Sequence, residues 1–407
     1  MQYGLLGEKL GHSFSPIIHK KLADYDYQLV GVPQEKLDAF MKEKNFLGIN
    51  VTIPYKQAVM PYLDEIDELA SRIGAVNTVV NRRGRLCGYN TDYYGFSYML
   101  DYGNICVQDK VVAVLGSGGA SKTVRTVLKD RGAKEIIVIS RTGQTDYEYL
   151  RARTDVDVIV NASPVGTYPD VDKCLVDLDG FDNLSGVADL VYNPSNTELI
   201  IRAKALGVKT VNGLSMLVAQ AKRASEIFTG KSLADHTINR IISEVEFLTK
   251  NLTLIGMAGC GKTTLGKMLA LTLGREFIDT DQEFLRVYGV SPAQCIISQG
   301  EQEFRDMESK IVSAVMKESG KVIATGGGAI VRSQNQIEIK RNSTVIYLVR
   351  DVNDLANDNR PLSSSPEKIK RLFLEREPIY RSLADVSIRV QDDAQKSLEK
   401  ILLEIGR

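Results

Sequence analysis

Twice along this chain an apolar, strand-like run ends in a glycine-rich loop that leads into a helical pattern. Gly116-Ser-Gly-Gly-Ala-Ser121 follows Lys110-Val-Val-Ala-Val-Leu115, and Gly256-Met-Ala-Gly-Cys-Gly-Lys-Thr263 follows Leu252-Thr-Leu-Ile255. Glycine there lets backbone N–H groups close around phosphate oxygens at the positive end of the next helix. The short branched runs ahead of the loops read as strands buried on both faces of a parallel sheet. Each loop therefore heads its own α/β unit, and the fold class is α/β.

A chain of 407 residues exceeds what one core usually organises, so several domains are expected. Residues 1–100 precede the first loop and alternate strand-like runs (Gly48-Ile-Asn-Val-Thr52, Ala75-Val-Asn-Thr-Val-Val80) with a helical stretch at Asp64 to Ser71, which predicts a separate α/β domain. Residues 101–232 form a dinucleotide-binding domain of Rossmann type, 233–249 a helix packing back on the first domain, and 251–407 a P-loop domain with a parallel sheet. No Gly/Ser or Pro-rich spacer separates the last two segments, and no fixed-period repeat is present.

Lys plus Arg equals Asp plus Glu, 51 against 51, so no global field favours nucleic acid or an anionic membrane, and small molecules are the expected partners. No basic leader with a long apolar stretch opens the chain, and no window of about 18 apolar residues follows; a cytoplasmic protein is expected. The five cysteines (Cys87, Cys106, Cys174, Cys260, Cys295) lack zinc-type spacing and read as free thiols. His12, His19 and His236 receive no catalytic role.

In the first loop Gly116, Gly118, Gly119 and Ala120 are assigned to the coenzyme pyrophosphate. The following strand, Glu135-Ile-Ile-Val-Ile-Ser140, runs into Ser140-Arg141-Thr142, where an NAD-specific protein often carries a carboxylate. Arginine suits a 2′-phosphate, so NADPH is expected, with Ser140 and Thr142 as hydroxyl donors. A solvated arginine is the other reading of Arg141.

The second loop satisfies the full G-x-x-x-x-G-K-[ST] pattern. It predicts ATP cradled by Gly259, Cys260, Gly261 and Thr264, Lys262 at the β/γ-phosphates, and Thr263 on Mg²⁺.

Five motifs ahead of residue 250 share an order with a known family: Ser13-Phe-Ser15-Pro16, Asn50-Val-Thr-Ile-Pro-Tyr-Lys56, Gly74-Ala-Val-Asn-Thr78, Asn90-Thr-Asp92, and Gly213-Leu-Ser-Met-Leu217 with Gln220. This stretch resembles shikimate dehydrogenase. The resemblance implies Lys56 and Asp92 as the catalytic pair, Ser13 and Ser15 on a substrate carboxylate, and Thr52, Asn77 and Gln220 around the ring. It also places Tyr192, Gly213 and Met216 near the nicotinamide. A ketone accepting hydride needs a proton donor, and a lysine beside an aspartate can supply it. Taken alone, Lys56 and Asp92 also suit a surface ion pair, Ser13 and Ser15 helix capping, and Tyr192 and Met216 core packing. Ser140 stands where the family often has asparagine, and Tyr93 where it often has glycine, a change expected to bear on substrate packing.

From residue 251, Phe277-Ile-Asp-Thr-Asp281, Gly300-Glu301 with Phe304-Arg305, Gly326-Gly-Gly328, Arg360-Pro361-Leu362 and Arg376-x-Pro-x-Tyr380 together resemble shikimate kinase. An acceptor with a carboxylate and hydroxyls calls for arginine forks at one end and a carboxylate at the attacking hydroxyl. The resemblance implies Arg305 and Arg376 on the carboxylate, Asp281 on the hydroxyl, Gly327 and Gly328 beneath the ring, Asp279 beside substrate and on Mg²⁺ through water, and Arg360 entering from a lid. The lid reads Arg-Pro-Leu-Ser in place of the commoner Arg-Pro-Leu-Leu, and Asp351 to Asn359 is shortened. By composition, Ser363-Ser-Ser-Pro366 also suits an ordinary surface loop.

Together the two resemblances imply reduction of 3-dehydroshikimate with NADPH followed by ATP-dependent phosphorylation of shikimate. Competing readings are that one half has become a ligand-sensing or scaffolding module, or that the pair acts on a quinate-type polyol acid and another small molecule.

Overall fold

The computed structural model describes residues 2–11, 13–141, 145–355 and 365–407. Thr142 and Arg360 lie outside these residues. The chain divides into two compact units, Met1–Glu246 and Phe247–Arg407.

In the first unit, a mixed sheet has the order β2-β1-β3-β5-β6-β4, built from β1 (Tyr3–Gly7), β2 (Tyr27–Gly31), β3 (Gly48–Val51), β4 (Glu65–Ile66), β5 (Thr78–Arg82) and β6 (Arg85–Tyr89). β1 pairs in parallel with β2 and β3, while β5 runs antiparallel to β3 and β6. On β3 the two-residue period sends Ile49 and Val51 into a core with Leu6, Val79 and Leu86. The alternate positions Asn50 and Thr52 line a cavity on the other face. The expected helix at Asp64 to Ser71 is shorter and later, Glu68–Ile73, because Asp67 caps it by accepting a hydrogen bond from the Leu69 N–H.

The second sheet is wholly parallel, in the order β11-β10-β9-β7-β8, from β7 (Val111–Leu115), β8 (Glu135–Ile139), β9 (Val158–Asn161), β10 (Gly186–Asp189) and β11 (Lys209–Asn212). Its apolar runs are continuous because both faces are covered: Val112 and Val114 join one core, and Val111, Ala113 and Leu115 the other. Strand order reverses between β7 and β9, and a ligand crevice belongs outside the carboxyl ends of the strands at such a point. The first glycine loop leaves β7 there.

Helices Asp92–Tyr102 and Leu214–Thr229 pack closely because Gly95 has no side chain; a Cβ there would sit 2.7 Å from the Met216 carbonyl oxygen. The helix His236–Thr249 buries Ile238, Ile241, Ile242 and Val245 among Ile18, Leu22, Leu214 and Val218. Each such aliphatic side chain contributes roughly 1.5–3 kcal/mol when fully buried.

The second unit holds a parallel sheet in the order β13-β14-β12-β15-β16, from β12 (Asn251–Ile255), β13 (Phe277–Asp279), β14 (Val322–Ala324), β15 (Ser343–Val349) and β16 (Val386–Arg389). The second glycine loop leaves β12, whose Leu252, Leu254 and Ile255 lie in the core of this unit. Among the described residues no helix is long and apolar enough to cross a membrane.

Candidate active sites

A cavity of about 330 Å³ opens in the first unit. Ser13, Ser15, Asn50, Thr52, Lys56, Asn77, Asp92 and Gln220 line one side of it, and Tyr192, Gly213 and Met216 another. Lys56 Nζ lies 2.6 Å from Asp92 Oδ2, with side chains only 16% and 8% exposed, which removes the surface-pair reading. Asp92 opens its helix, where a negative charge meets the positive end of the dipole.

Beneath this pair a buried hydrogen-bond network sets the polar wall. Asn77 donates to Thr91 Oγ1 at 3.0 Å and accepts from the Thr91 N–H at 2.7 Å; Thr91 in turn donates to Gln220 Oε1 at 3.3 Å. Asn50 accepts from the Tyr27 hydroxyl at 2.8 Å and donates to Thr78 Oγ1 at 3.0 Å. The capping reading of the serines is partly met: Ser13 Oγ accepts from the Ser15 N–H at 3.2 Å, whereas the helix N-cap itself is Phe14, which makes no side-chain cap. Burial holds the Tyr192 phenol above its ordinary value, with Ser13 opposing the shift.

A second cavity adjoins the first. Gly116, Gly118, Gly119, Ala120, Ser140 and Arg141 line it, together with Thr52, Lys56, Ala162, Ser163 and Pro164. Of these, Thr52, Lys56, Ala120, Ala162, Ser163 and Pro164 also line the first cavity, so the two meet at Lys56. Gly116 has φ of 111°, a left-handed conformation that glycine takes without strain. Arg141 is exposed and Ser140 buried. Tyr93 corrects an expectation: its hydroxyl donates to Asp130 Oδ2 at 2.8 Å, beside the Arg72–Asp130 pair, and it does not line the substrate-side cavity.

In the second unit Asp281, Arg305, Gly327, Gly328 and Arg376 share a cavity of about 260 Å³ with Met257 and Ala258 from the glycine loop. Arg305 is buried between Glu308 at 2.6 Å and Glu301 at 3.2 Å, while Arg376 donates to the Gly327 carbonyl at 3.2 Å. A Cβ at Gly328 would collide with the Arg305 guanidinium, and one at Gly327 would sit 2.8 Å from the Ala258 nitrogen. Gly256, Gly259 and Gly261 take φ of 144°, 81° and 101°, left-handed turns of the kind a phosphate-binding loop uses. Lys262 Nζ, buried, donates to the carbonyls of Gly256 at 2.8 Å and Met257 at 2.9 Å. Thr263 Oγ1 donates to Asp279 Oδ2 at 2.7 Å, so a hydroxyl and a carboxylate suited to Mg²⁺ already face each other. Cys260 is buried in the loop, and Thr264 stands in the first turn of the helix Lys262–Leu273.

Residues 5–79 match the family model for the shikimate dehydrogenase substrate binding domain, and residues 258–406 that for shikimate kinase. A shikimate dehydrogenase (NADP(+)) of Clostridium beijerinckii is 40% identical over 245 residues, which span 56% of this chain and 91% of the relative. The chain belongs to the shikimate dehydrogenase family, with a shikimate kinase domain behind it. Among solved structures, a chorismate mutase/shikimate 5-dehydrogenase fusion protein from Clostridium acetobutylicum is 40% identical with a TM-score of 0.57, covering 60% of this chain and 97% of its own. The Thermus thermophilus shikimate 5-dehydrogenase in complex with NADP(H) and shikimate is 32% identical with a TM-score of 0.55, covering 60% and 99%.

Several cavity residues of this shikimate dehydrogenase family member escaped the sequence reading. Asn50 lies two residues before Thr52 on one strand face, so its alternation was a usable signal. Ser163, Thr167 and Tyr168 belong to a loop with no motif to mark them. In the kinase domain Glu308 follows Arg305 by three positions on one helix, a spacing that places both on one face. Burial holds the Glu308 carboxyl above the ordinary range against the pull of Arg305, and the Asp281 charge adds to the rise.

Proposed function

We propose that this chain reduces 3-dehydroshikimate to shikimate with NADPH and phosphorylates shikimate to shikimate 3-phosphate with ATP and Mg²⁺. The observation that carries the reductive half is the Lys56–Asp92 pair at the junction of the two cavities. Bound NADPH supplies the hydride for the carbonyl carbon. Lys56 donates the proton to the carbonyl oxygen, and Asp92 holds the ammonium in place and accepts from a substrate hydroxyl. Ser13 and Ser15 bind the carboxylate, and Thr52, Asn77 and Gln220 enclose the ring. Gly116, Gly118, Gly119 and Ala120 take the pyrophosphate, with Ser140, Arg141 and Thr142 at the 2′-phosphate and Tyr192, Gly213 and Met216 on the nicotinamide side.

In the second unit Asp281 accepts the proton of the attacking hydroxyl, while Arg305 and Arg376 fix the carboxylate end and Gly327 and Gly328 admit the ring. Gly259, Cys260, Gly261 and Thr264 shape the nucleotide loop. Lys262 places positive charge at the β/γ-phosphates, Thr263 and Asp279 hold Mg²⁺, and Arg360, from outside the described residues, neutralises the transferring group. The corresponding domain limits are 1–100 for substrate, with 233–249, 101–232 for coenzyme, and 251–407 for the kinase. A cytoplasmic location is consistent with the five free cysteines.

Incubating the purified chain with 3-dehydroshikimate, NADPH, ATP and Mg²⁺ tests both halves, following coenzyme oxidation and shikimate 3-phosphate. The expected result is sequential appearance of shikimate and its phosphate. Reduction of NADP⁺ by a quinate-type polyol acid with no NADPH oxidation by 3-dehydroshikimate, or an inert half, overturns the corresponding assignment.

A further inference from the structure

At the carboxyl edge of the coenzyme sheet, three polar residues stand side by side: Asn161 ending β9, Asp189 ending β10 and Asn212 ending β11. The loops leaving these strands supply much of the wall shared by substrate and coenzyme. Ser163, Thr167 and Tyr168 come from the first, Tyr192 from the second, and Gly213 from the third, with Met216 in the first turn of the helix Leu214–Thr229 that follows it.

Asp189 is wholly buried, and its carboxylate ties the end of β9 to the loop after β10. Oδ1 accepts from Asn161 Nδ2 at 2.9 Å and from the Val191 N–H at 3.0 Å, while Oδ2 accepts from Thr197 Oγ1 at 2.6 Å. Asn161 passes the constraint on: its Oδ1 accepts from Ser163 N at 3.1 Å and Ser163 Oγ at 2.7 Å, and its Nδ2 also donates to the Val165 carbonyl at 3.2 Å. The Gly213 N–H donates to the Val191 carbonyl at 3.1 Å, which joins the third loop to the second.

No lysine or arginine pairs with Asp189 among the described residues. Burial pushes its carboxyl up to about 6, with the bonds from Thr197, Val191 and Asn161 opposing the shift. An ionised carboxylate in such a place is unfavourable for folding, and an amide of the same shape would span the same strands. What the carboxylate adds is acceptance from three separate donors at once; an amide keeps two acceptances on its one oxygen and has to reverse the Thr197 bond, making that hydroxyl the acceptor.

We infer that Asp189 is a positioning residue for hydride transfer, holding the three loops so that the coenzyme-side wall stays aligned with Lys56 and Asp92. The inference rests on the proposed reductase activity. The hydrogen bonds of Asp189 go to Asn161, Val191 and Thr197 and not to the first glycine loop or Arg141, so its main effect is on alignment at the reacting end of the coenzyme.

The test compares wild type, Asp189→Asn, Thr197→Val and Thr197→Ser in the full chain. Reductase kcat, the KM of each substrate, the isotope effect with NADPH deuterated at the transferred position, and kinase activity are measured on the same samples. For Asp189→Asn the expected kcat is lower by about tenfold or more, with the NADPH KM within about twofold of wild type, a larger isotope effect, and unchanged kinase activity. Thr197→Val should shift the same quantities less, and Thr197→Ser, which restores the hydroxyl, should return them to wild type. A folded Asp189→Asn chain with wild-type kcat and isotope effect overturns the inference. So does a kcat loss matched by an equal loss of folded protein. If Asp189→Asn does not fold, the Thr197 pair decides: equal isotope effects in Thr197→Val and Thr197→Ser overturn it. A wild-type chain that phosphorylates shikimate but does not oxidise NADPH overturns the reductase reading, and this inference with it.

Discussion

The two cavities are assigned the same hydroxylated ring carboxylate, yet they are built from opposite materials. In the dehydrogenase unit the end proposed for the carboxylate is lined by the neutral hydroxyls of Ser13 and Ser15, and the charge is concentrated in one Lys56–Asp92 pair. In the kinase unit two buried guanidiniums, Arg305 and Arg376, face the cavity, balanced by Glu308 and Asp281. The chemistry accounts for the difference. Reduction needs a lysine whose proton moves, and a permanent positive charge nearby would alter its affinity for that proton. Phosphoryl transfer gathers negative charge, so fixed cations at the acceptor end cost nothing of the kind and orient the substrate by forked hydrogen bonds.

The contrast breaks most readily at its single mobile proton. Lys56→Ala should lower reductase kcat by roughly 100- to 10,000-fold, with kinase activity as the internal reference; near-native turnover would refute the general-acid role. Next in size, Arg376→Ala should raise the kinase KM for shikimate by about 10- to 100-fold, because a charge-assisted bond contributes about 1.5–3 kcal/mol. The reductase KM measured on the same sample should not move. If the carboxylate does not engage Arg376, the two KM values stay in their wild-type ratio.

Smaller effects sharpen the comparison. Arg141→Ala should weaken NADPH by about tenfold and leave NADH unchanged; retained discrimination removes the 2′-phosphate assignment. Ser13→Ala should raise the reductase KM only about two- to tenfold, the scale of one neutral hydrogen bond of about 0.5–1.5 kcal/mol. An effect as large as that of Arg376→Ala would erase the distinction between neutral and charged clamps.

The smallest predicted effect concerns stability. His19 is wholly buried, stacked on Tyr27 at 3.8 Å, with Nδ1 2.6 Å from the Tyr25 hydroxyl. Burial lowers its pKa to about 3, with Asn50 opposing the shift. The folded value lies below the unfolded one, so the unfolded chain binds more protons and this contribution is lost as pH falls from 6.5 towards 3. Between pH 7 and pH 5 the loss is about 2 kcal/mol. Asp189, raised to about 6, acts in the opposite sense and adds stability as pH falls from 6 towards 3.8. In His19→Phe the denaturant midpoint at pH 5 should rise relative to that at pH 7, compared with wild type, because the Asp189 contribution is then left unopposed; an unchanged difference would show that His19 is not the group responsible.

Much of this was legible in the residues. Both glycine loops and the strands before them follow from local rules, since a left-handed turn, a two-residue period or a phosphate cradle is written in adjacent positions, whereas most cavity members were named through the ordered motifs of the two resemblances. Asp67 shifted one helix start because capping competes residue by residue. Glu308 was readable from its helical spacing to Arg305, whereas Ser163, Thr167 and Tyr168 were not, because an irregular loop has no period to betray which side it shows.

By itself the amino-acid order determined two α/β phosphate-binding units and the types of group each would bring to its ligand. Only the folded chain decided that Lys56 meets Asp92 where two cavities join, that Tyr93 turns to Asp130, and that Asp189 joins the end of β9 to the loop after its own strand. Those relations join residues far apart in the chain, and their geometry depends on strand order and helix packing, which no local pattern specifies.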